Sequence, residues 1–163
     1  MQQELKQKSP SPRIIVYTFR SSPNLTAIQK CGFDPFIFHE LKAGLNTLKT
    51  RISNEKPILV LGLAKGTNLI EALTINQFNK TKFVSKGSQD KFLLHIPKTI
   101  SKSFKVNKRP SDSFCNWTAF KIAEFASVAH PELKVMFAHI KPDLVSSIID
   151  LALTDISDTT NPK

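Results

Sequence analysis

Hydrophobic positions fall into two patterns along the chain, and each pattern predicts a different element. Residues 13–19 (RIIVYTF), 57–64 (PILVLGLA) and 133–140 (LKVMFAHI) are apolar at nearly every position, which is typical of strands buried on both faces. A shorter run at 33–38 (FDPFIF) predicts a further strand. Continuous apolar strands of this kind favour a parallel sheet that is covered on both sides.

Apolar residues spaced three and four positions apart mark the helices. Residues 39–53 place leucines and an isoleucine on one face, with lysine and asparagine on the other. Residues 116–129 are apolar almost all round, which predicts a buried helix, and residues 143–156 predict a closing helix. The segments 69–78 and 91–96 add extended pieces without a clear period.

Alternating strands and helices predict an α/β fold, a three-layer α/β/α sandwich with a mostly parallel central sheet. The chain has 163 residues, which suits one domain, and we place that domain at 13–156 between flexible tails at 1–12 and 157–163. No apolar run approaches the about 20 residues that a membrane span needs. The polar N-terminus has no signal-peptide core, so we expect a cytoplasmic protein with no membrane partner.

Composition adds a strong positive charge to this picture. The apolar fraction of 40% supports a real core and excludes a disordered chain, while the net charge is +10. A basic surface attracts polyanions, so a binding module for an anionic partner such as nucleic acid is one hypothesis. The densest cluster, KTISKSFKVNKR (98–109), lacks the interleaved aromatic residues of a base-stacking platform. The alternative for this cluster is an ordinary solvated face.

The two cysteines differ in their surroundings, and both are expected to be free thiols. Cys31 lies near a turn in QKCGFDPF with no partner motif, so we interpret it as a structural or incidental thiol. Cys115 lies in SDSFCNWTAF, between the capping residues 111–113 and the predicted helix. The dipole and the N–H groups at a helix N-terminus favour a thiolate. Position alone leaves two interpretations open, a buried apolar cysteine or a nucleophile.

One of the four histidines lies where a catalytic imidazole would be useful. His39 and His130 fall at helix boundaries and are interpreted as surface residues, and His95 lies inside an apolar run and is interpreted as structural. His139 closes the predicted strand 133–140. In open α/β sheets, ligands bind at the carboxyl ends of the strands, so His139 is a candidate base for Cys115.

Three short motifs then occur in register. In ILVLGLAKGTNLIEALTIN an apolar strand ends in a glycine-containing turn and is followed by Glu71 and the pair Ile75-Asn76. A serine-rich turn and an aromatic precede Cys115-Asn116, and His139 lies in FAHIKP. Together they resemble the motifs of the pyroglutamyl peptidases (pyrrolidone carboxyl peptidases), a family of cysteine peptidases, over residues 13 to 156.

The resemblance implies a role for each matching residue. Cys115 would be the nucleophile, His139 its base and then its acid, and Glu71 the group that orients His139. The implied reaction is hydrolysis of the amide after an N-terminal pyroglutamyl residue, through a thioester and with no cofactor or metal. The substrate would be an N-terminally blocked peptide. Family members commonly assemble as tetramers, so the resemblance also leaves room for a homo-oligomer.

The residues expected around the substrate depart from the family pattern. Residues 20–23 (RSSP) replace the family's Pro-Phe-Gly-Gly, so Phe19 is the remaining candidate for an aromatic wall. Leu63 stands at the position of the family's glutamine, and Phe114 and Asn116 flank the nucleophile. We therefore expect Phe19, Leu63, Phe114 and Asn116 to bind the substrate, with backbone N–H groups at the helix head as oxyanion donors.

Two hypotheses follow from this mixture of matching and divergent motifs. The first is a divergent, shortened pyroglutamyl-peptidase-like cysteine hydrolase with an altered or weakened pocket. The second is a catalytically inactive homologue that acts as a basic binding module for an anionic partner. The first requires Cys115, His139 and Glu71 to converge, and the second requires the lysines of 98–109 to gather on one face.

Overall fold

The computed structural model describes residues 14–160, and within them the backbone forms eight strands and four α-helices. In chain order these are β1 (Ile14–Phe19), α1 (Leu25–Lys30), β2 (Phe36–Phe38), α2 (Leu41–Glu55), β3 (Leu59–Lys65), β4 (Leu69–Glu71), β5 (Leu73–Ile75), β6 (Lys91–Leu93), β7 (Lys105–Asn107), α3 (Phe114–Ala129), β8 (Lys134–Ile140) and α4 (Val145–Thr160). A 3-10 turn at Pro142–Leu144 leads into α4. None of the helices in this part of the chain is long and apolar enough to span a bilayer.

Six of the strands form one central sheet in the order β2-β1-β3-β8-β4-β7. The first four are mutually parallel, as their continuous apolar sequences predict. Strand β4 runs antiparallel to β8, and β7 pairs in parallel with β4. Strands β5 and β6 form a separate antiparallel pair. The prediction of an α/β fold with a mostly parallel sheet is confirmed.

Helices cover both faces of the sheet, which makes three layers. One core cluster joins α2 and α3 to side chains such as Val60 and Phe137, and the other joins α1 and α4 to side chains such as Leu61 and Met136. Neighbouring residues of β3 and of β8 alternate between the two clusters because successive side chains of a strand point to opposite faces. This alternation decides which strand residues reach α3, where the candidate nucleophile lies.

The sequence did not reveal two short elements, and it misplaced some boundaries. Helix α1 has six residues and one fully buried side chain, Ile28, so it shows no amphipathic period. Strand β7 has three residues, two of them exposed, and lies at a sheet edge inside the lysine-rich cluster. Edge strands with lysine avoid pairing with other chains, but they carry no alternating hydrophobic pattern. The predicted closing helix also continues to Thr160, into the predicted tail; the tail at 1–12 lies outside the described residues.

Candidate active site

Cys115 is the second residue of α3 and is almost fully buried. Ser113 precedes the helix without a side-chain hydrogen bond to its first turn; its hydroxyl instead lies 2.8 Å from that of Ser111. The N–H of Trp117 donates to the carbonyl of Ser113, 3.0 Å away. The backbone N–H groups ahead of Trp117 lie in the first turn, where helical N–H groups have no acceptor within the helix. The candidate nucleophile therefore lies at a positive helix end.

The strand register brings His139 and Glu71 to the same face as Cys115. His139 pairs with Leu69 across the antiparallel β8–β4 ladder, so Glu71 is its diagonal neighbour two residues further along β4. Phe137, two residues before His139 on β8, belongs to the core cluster under α3. The Nδ1 atom of His139 lies 3.0 Å from Oε1 of Glu71. Sheet pairing alone thus fixes the imidazole–carboxylate contact.

The thiol of Cys115 is the group with the largest influence on the pKa of His139. Since Nδ1 faces Glu71, Nε2 is the ring nitrogen left for the sulfur. The interaction with Cys115, followed by the hydrogen bond with Glu71, raises the pKa of His139 to about 9, although burial opposes the rise. His139 is therefore an imidazolium at neutral pH. A cation beside a cysteine sulfur is the arrangement that stabilises a thiolate nucleophile.

Cys115, His139 and Glu71 line one narrow pocket of about 10 Å³, which has room for about one water molecule. Its remaining walls are mostly apolar and come from β5, the segment after β6, the loop before α3, α3 itself and β8: Leu73, Thr74, Leu94, Pro110, Ser111, Asn116, Ala119 and Phe137. Apolar walls exclude water and strengthen the electrostatic interactions inside a site. Among residues 14–160, no group of three or more His, Cys, Asp and Glu side chains is arranged to hold a metal ion.

Asn107 is a site residue that the sequence did not indicate. Its Nδ2 donates to both carboxylate oxygens of Glu71, at 3.2 Å from Oε1 and 2.9 Å from Oε2. The parallel register of β4 and β7 places Asn107 directly beside Glu71. His139, Glu71 and Asn107 therefore form a continuous hydrogen-bonded row, and His139 and Glu71 line the same pocket as Cys115. No periodic pattern marks β7, which lies in the segment predicted to be a lysine-rich solvated face.

Phe19 and Phe114 lie together in a separate groove, and Phe114 directly precedes Cys115 in the chain. Their ring centroids are 4.8 Å apart with an interplanar angle of 78°, an edge-to-face contact. This groove has a volume of about 300 Å³ and is also lined by residues 20–21 and 38–41. Phe114 is 47% exposed. Phe19, in contrast, is only 9% exposed and belongs to the core cluster under α3, and the role of both residues in substrate binding stays a prediction.

The structure does not bring Leu63 to the pocket, which corrects the expectation for this residue. Leu63 is fully buried in the cluster under α1 and α4, and its carbonyl accepts a hydrogen bond of 2.7 Å from the hydroxyl of Thr18. The neighbouring β3 residue Ala64 belongs to the opposite cluster. Strand alternation therefore turns Leu63 to the face away from Cys115.

Asn116 lines the pocket, but its amide is already fully engaged. Its Oδ1 accepts from the backbone N–H of Ile75 at 2.9 Å and lies 2.7 Å from the hydroxyl of Thr74. Its Nδ2 donates to the carbonyls of Ile75 and Gln77, at 2.8 and 3.1 Å. The side chain joins the head of α3 to β5. The contacts therefore favour a positioning role over direct contact with a substrate.

The remaining histidine and cysteine candidates lie away from this row. Nε2 of His95 is 2.6 Å from Oδ2 of Asp155, which ties the segment after β6 to α4. Burial acts to raise the pKa of Asp155. The N–H of Lys98 and the imidazole of His95 outweigh burial and hold this pKa below its ordinary value. This contact agrees with a structural role for His95. Cys31 is a free thiol beside the groove between α1 and α4.

Comparison with known proteins gives a likeness at the level of structure. No protein-family model and no curated protein sequence matches the chain. The pyrrolidone carboxyl peptidase of Thermococcus litoralis superposes with a TM-score of 0.73 at 14% identity, covering 90% of this chain and 94% of that one. The pyrrolidone carboxyl peptidase of Fervidobacterium islandicum superposes with a TM-score of 0.70 at 11% identity, covering 89% of this chain and 98% of that one. Pyroglutamyl peptidase I of Bacillus amyloliquefaciens superposes with a TM-score of 0.69 at 14% identity, covering 87% of this chain and 95% of that one. The chain has the fold of the pyroglutamyl peptidases.

Proposed function

We propose that the protein is a cysteine peptidase that removes N-terminal pyroglutamate from peptides. One observation carries the proposal: the thiol of Cys115, the imidazole of His139 and the carboxylate of Glu71 converge in one pocket at the head of α3. A nucleophile, a proton carrier and an orienting group in this order are the parts that acyl transfer requires. The likeness to solved pyroglutamyl peptidases supports the choice of the acyl group.

The first half-reaction forms a thioester. The Cys115 thiolate attacks the carbonyl carbon that follows the pyrrolidone ring, and the carbonyl oxygen becomes an oxyanion. Backbone N–H groups in the first turn of α3 lie at the positive end of the helix dipole and are the candidate donors to this oxygen. His139 then gives its Nε2 proton to the leaving amine as the carbon–nitrogen bond breaks.

The second half-reaction returns the enzyme to its starting state. His139, now neutral, removes a proton from a water molecule, which attacks the thioester carbonyl. The carbon–sulfur bond breaks, pyroglutamate leaves, and the thiolate–imidazolium pair is restored. Glu71 keeps Nδ1 of His139 engaged throughout, so that Nε2 stays directed at the reacting atoms. Asn107 holds Glu71 in turn.

The acyl side of the substrate would lie along the Phe19–Phe114 groove. An aromatic surface beside Cys115 suits a flat, five-membered lactam, which packs on a ring face. The two rings contact each other edge to face in the structure, so Phe114 must turn outward to admit a ligand between them. This fits an altered or weakened pocket, which is the form in which we propose the pyroglutamyl specificity.

The test is turnover of a pyroglutamyl aminomethylcoumarin amide by the wild type, by Cys115→Ala and by Cys31→Ala. We expect the wild type and Cys31→Ala to release coumarin at equal rates, and Cys115→Ala to lose roughly 10⁴-fold or more in kcat/KM. The second thiol of the chain is a matched control because it is also uncrosslinked but lies away from the pocket.

Failure of the wild type to turn over this substrate would have two distinct meanings. If Cys115 nevertheless reacts with iodoacetamide much faster than Cys31, the nucleophile is active and the acyl group is wrong. If Cys115 reacts no faster than Cys31, the peptidase proposal is wrong. The inactive basic binding module would then be the remaining hypothesis, to be tested by salt-sensitive binding of nucleic acid.

A further inference from the structure

Two positively charged residues directly precede, in the sequence, a residue that lines the pocket. Lys108 and Arg109 are exposed, and the next residue, Pro110, lines the pocket. The Arg109 backbone is fixed on both sides by Asn107: its N–H donates to Oδ1 of Asn107 at 3.2 Å, and its carbonyl accepts from Nδ2 at 3.2 Å. The same asparagine holds Glu71, so these two cations are attached to the catalytic row by a rigid turn.

A third cation is held against the other side of the same wall. The backbone N–H of Lys80 donates to Oδ2 of Asp112 at 2.6 Å, and the N–H of Asn79 donates to the carbonyl of Asp112 at 3.2 Å. Asp112 follows Ser111, which lines the pocket. These two bonds place the exposed Lys80 beside the loop that leads into α3.

The fourth cation follows the catalytic histidine. Lys141 is exposed and lies two residues after His139. Its N–H donates to Oδ1 of Asn68 at 3.0 Å, which anchors the end of β8 against the turn before β4. Three separate chain segments around the pocket thus each carry a lysine or an arginine, and we call Lys80, Lys108, Arg109 and Lys141 the rim cations.

The rim cations are not neutralised by the protein. None of them forms an ion pair with another described residue. Glu71 is engaged by His139 and Asn107, and Asp112 accepts from the backbone of Lys80. The four rim cations outnumber the carboxylates of Glu71 and Asp112, and an excess of one sign of charge attracts ligands of the opposite sign.

We propose that the site selects peptides with a carboxylate immediately after the scissile bond. The acyl cap would occupy the Phe19–Phe114 groove, so the leaving peptide must cross the rim, where it meets these cations. The carboxylate can belong to an aspartate or glutamate side chain or to the C-terminus of a short substrate, and both present the same chemistry. The choice of leaving group rests on the proposed peptidase function, whereas the anion-attracting rim does not.

Alkylation tests the rim without any turnover. Iodoacetate and iodoacetamide are nearly equal in size, and each loses iodide as the cysteine sulfur bonds to its CH₂ carbon, but only iodoacetate is an anion. Mass spectrometry measures both rates at Cys115 and at Cys31 in the same chain. We expect the iodoacetate-to-iodoacetamide ratio to be higher at Cys115 than at Cys31 at low salt, and to fall as salt screens the rim.

Charge-neutralising variants distinguish the effect of the rim cations on the alkylation ratio from the effect of His139. Two charges about 10 Å apart in water change a rate roughly twofold, so Lys108→Gln/Arg109→Gln should lower the Cys115 ratio roughly fourfold. Lys86→Gln is the matched control. Lys86 is exposed and follows Ser85, whose hydroxyl bonds to Glu124 far along α3 from Cys115. An unchanged ratio in the double variant, or an equal loss in the control, would overturn the rim proposal.

Three substrates then test the leaving group: pyroglutamyl-aspartyl-alanine amide, its asparaginyl isostere, and the isostere with a free C-terminal carboxylate. We expect the aspartyl peptide to exceed its isostere several-fold in kcat/KM, and the double variant to remove the difference. A gain only with the free C-terminus would assign the carboxylate to the chain end, and equal rates for all three would refute the selectivity. Hydrolysis of none would refute the pyroglutamyl specificity, and the alkylation ratio would still decide the rim.

Discussion

Asn107 donates one side-chain amide group to both oxygens of Glu71, and the two residues are direct partners in the parallel β4–β7 ladder. Glu71 is nearly buried, so its orientation decides whether it can face His139. With Nδ2 of Asn107 on one side and Nδ1 of His139 on the other, the carboxylate has one favourable rotation. Strand pairing therefore extends the hydrogen-bonded row by a residue that does not line the pocket.

We expect Asn107→Ala to lower kcat about tenfold or more with little change in KM, since a hydrogen bond to a charged group contributes roughly 1.5–3 kcal/mol. Asn107→Asp should be worse because it places a second carboxylate against Glu71. Val106→Ala, on the same edge strand, is the control and should retain activity. Steady-state kinetics of the three variants check this, and equal kcat in Asn107→Ala and the control would exclude a positioning role.

The imidazole of His139 should titrate near pH 9 in the folded protein. Long-range nitrogen–proton spectra can follow it, with His139→Gln to assign the resonance. Because the interaction with Cys115 is the largest cause of the raised pKa, Cys115→Ala should lower the pKa of His139 further than Glu71→Gln does. A His139 pKa near the ordinary 6.5 in the wild type would mean that the thiol–imidazole contact is absent in solution.

The raised pKa of His139 also predicts how the stability of the protein changes with pH. A group whose pKa is higher in the folded chain stabilises that chain fully below the unfolded value of 6.5, and this contribution is lost as the pH rises through about 9. The free energy of unfolding in urea should therefore fall between pH 7 and pH 10. Subtracting the His139→Gln curve isolates the histidine, and a difference that does not vary with pH would contradict the prediction.

The long elements and the candidate catalytic residues on them could be predicted from the sequence. Cys115 and His139 lie on a buried helix and a buried strand, whose continuous apolar patterns place them with little ambiguity. Glu71 lies within the segment 69–78, which shows no clear period, and the motif resemblance is needed to select it. Its contact with His139 depends on the antiparallel β4–β8 register, a long-range pairing that no local pattern encodes.

The same limit explains Asn107 and Leu63. Asn107 lies on a three-residue edge strand among lysines, where neither β-propensity nor hydrophobic periodicity predicts a strand. Leu63 was placed at the pocket by its position in a motif, but strand alternation turns it to the other core. In each case the deciding fact is which face of the sheet a residue occupies, and that requires the pairing partners.

Gly66 leaves the space in which His139 sits. A Cβ at this position would overlap the Cβ of His139 and come within 3.1 Å of its Cα, so backbone as well as side chain would have to shift. We expect Gly66→Ala to cost about 1–3 kcal/mol of stability through overpacking, and to lower kcat sharply because His139 moves.

Gly87→Ala is the matched control for this effect. Gly87 has φ +83°, which strains an alanine, but nothing lies within 4 Å of the new Cβ. This variant should also lose stability, roughly 1 kcal/mol or more, while it keeps its kcat. Urea unfolding and kinetics on both variants check the prediction, and equal kcat values would show that Gly66 has no influence on the site.

Asn116→Ala should act on stability before it acts on substrate binding. It removes an amide that satisfies backbone groups of residues 75 and 77 and the hydroxyl of Thr74, and buried groups left unsatisfied cost about 1–3 kcal/mol each. We expect a clear loss in urea unfolding, against almost none for the exposed Asn46→Ala on α2. A raised KM with unchanged stability would restore Asn116 as a substrate-binding residue.

Phe114 offers the sharpest test of where the acyl group binds. Its ring is half exposed, touches Phe19 and belongs to the residue before the nucleophile, so its truncation should remove a surface for the lactam without disturbing the catalytic row. We expect Phe114→Ala to raise KM for a pyroglutamyl amide roughly tenfold, with a smaller change in kcat. This size follows from the about 0.5–1.5 kcal/mol of an aromatic contact plus the area that the ring buries.

Phe83→Ala is the control. It removes a ring that is 66% exposed and not part of either site wall, and it should leave both constants unchanged. A loss confined to kcat in Phe114→Ala would show that the ring positions Cys115 instead, and the acyl group would then have to bind in the smaller pocket beside His139.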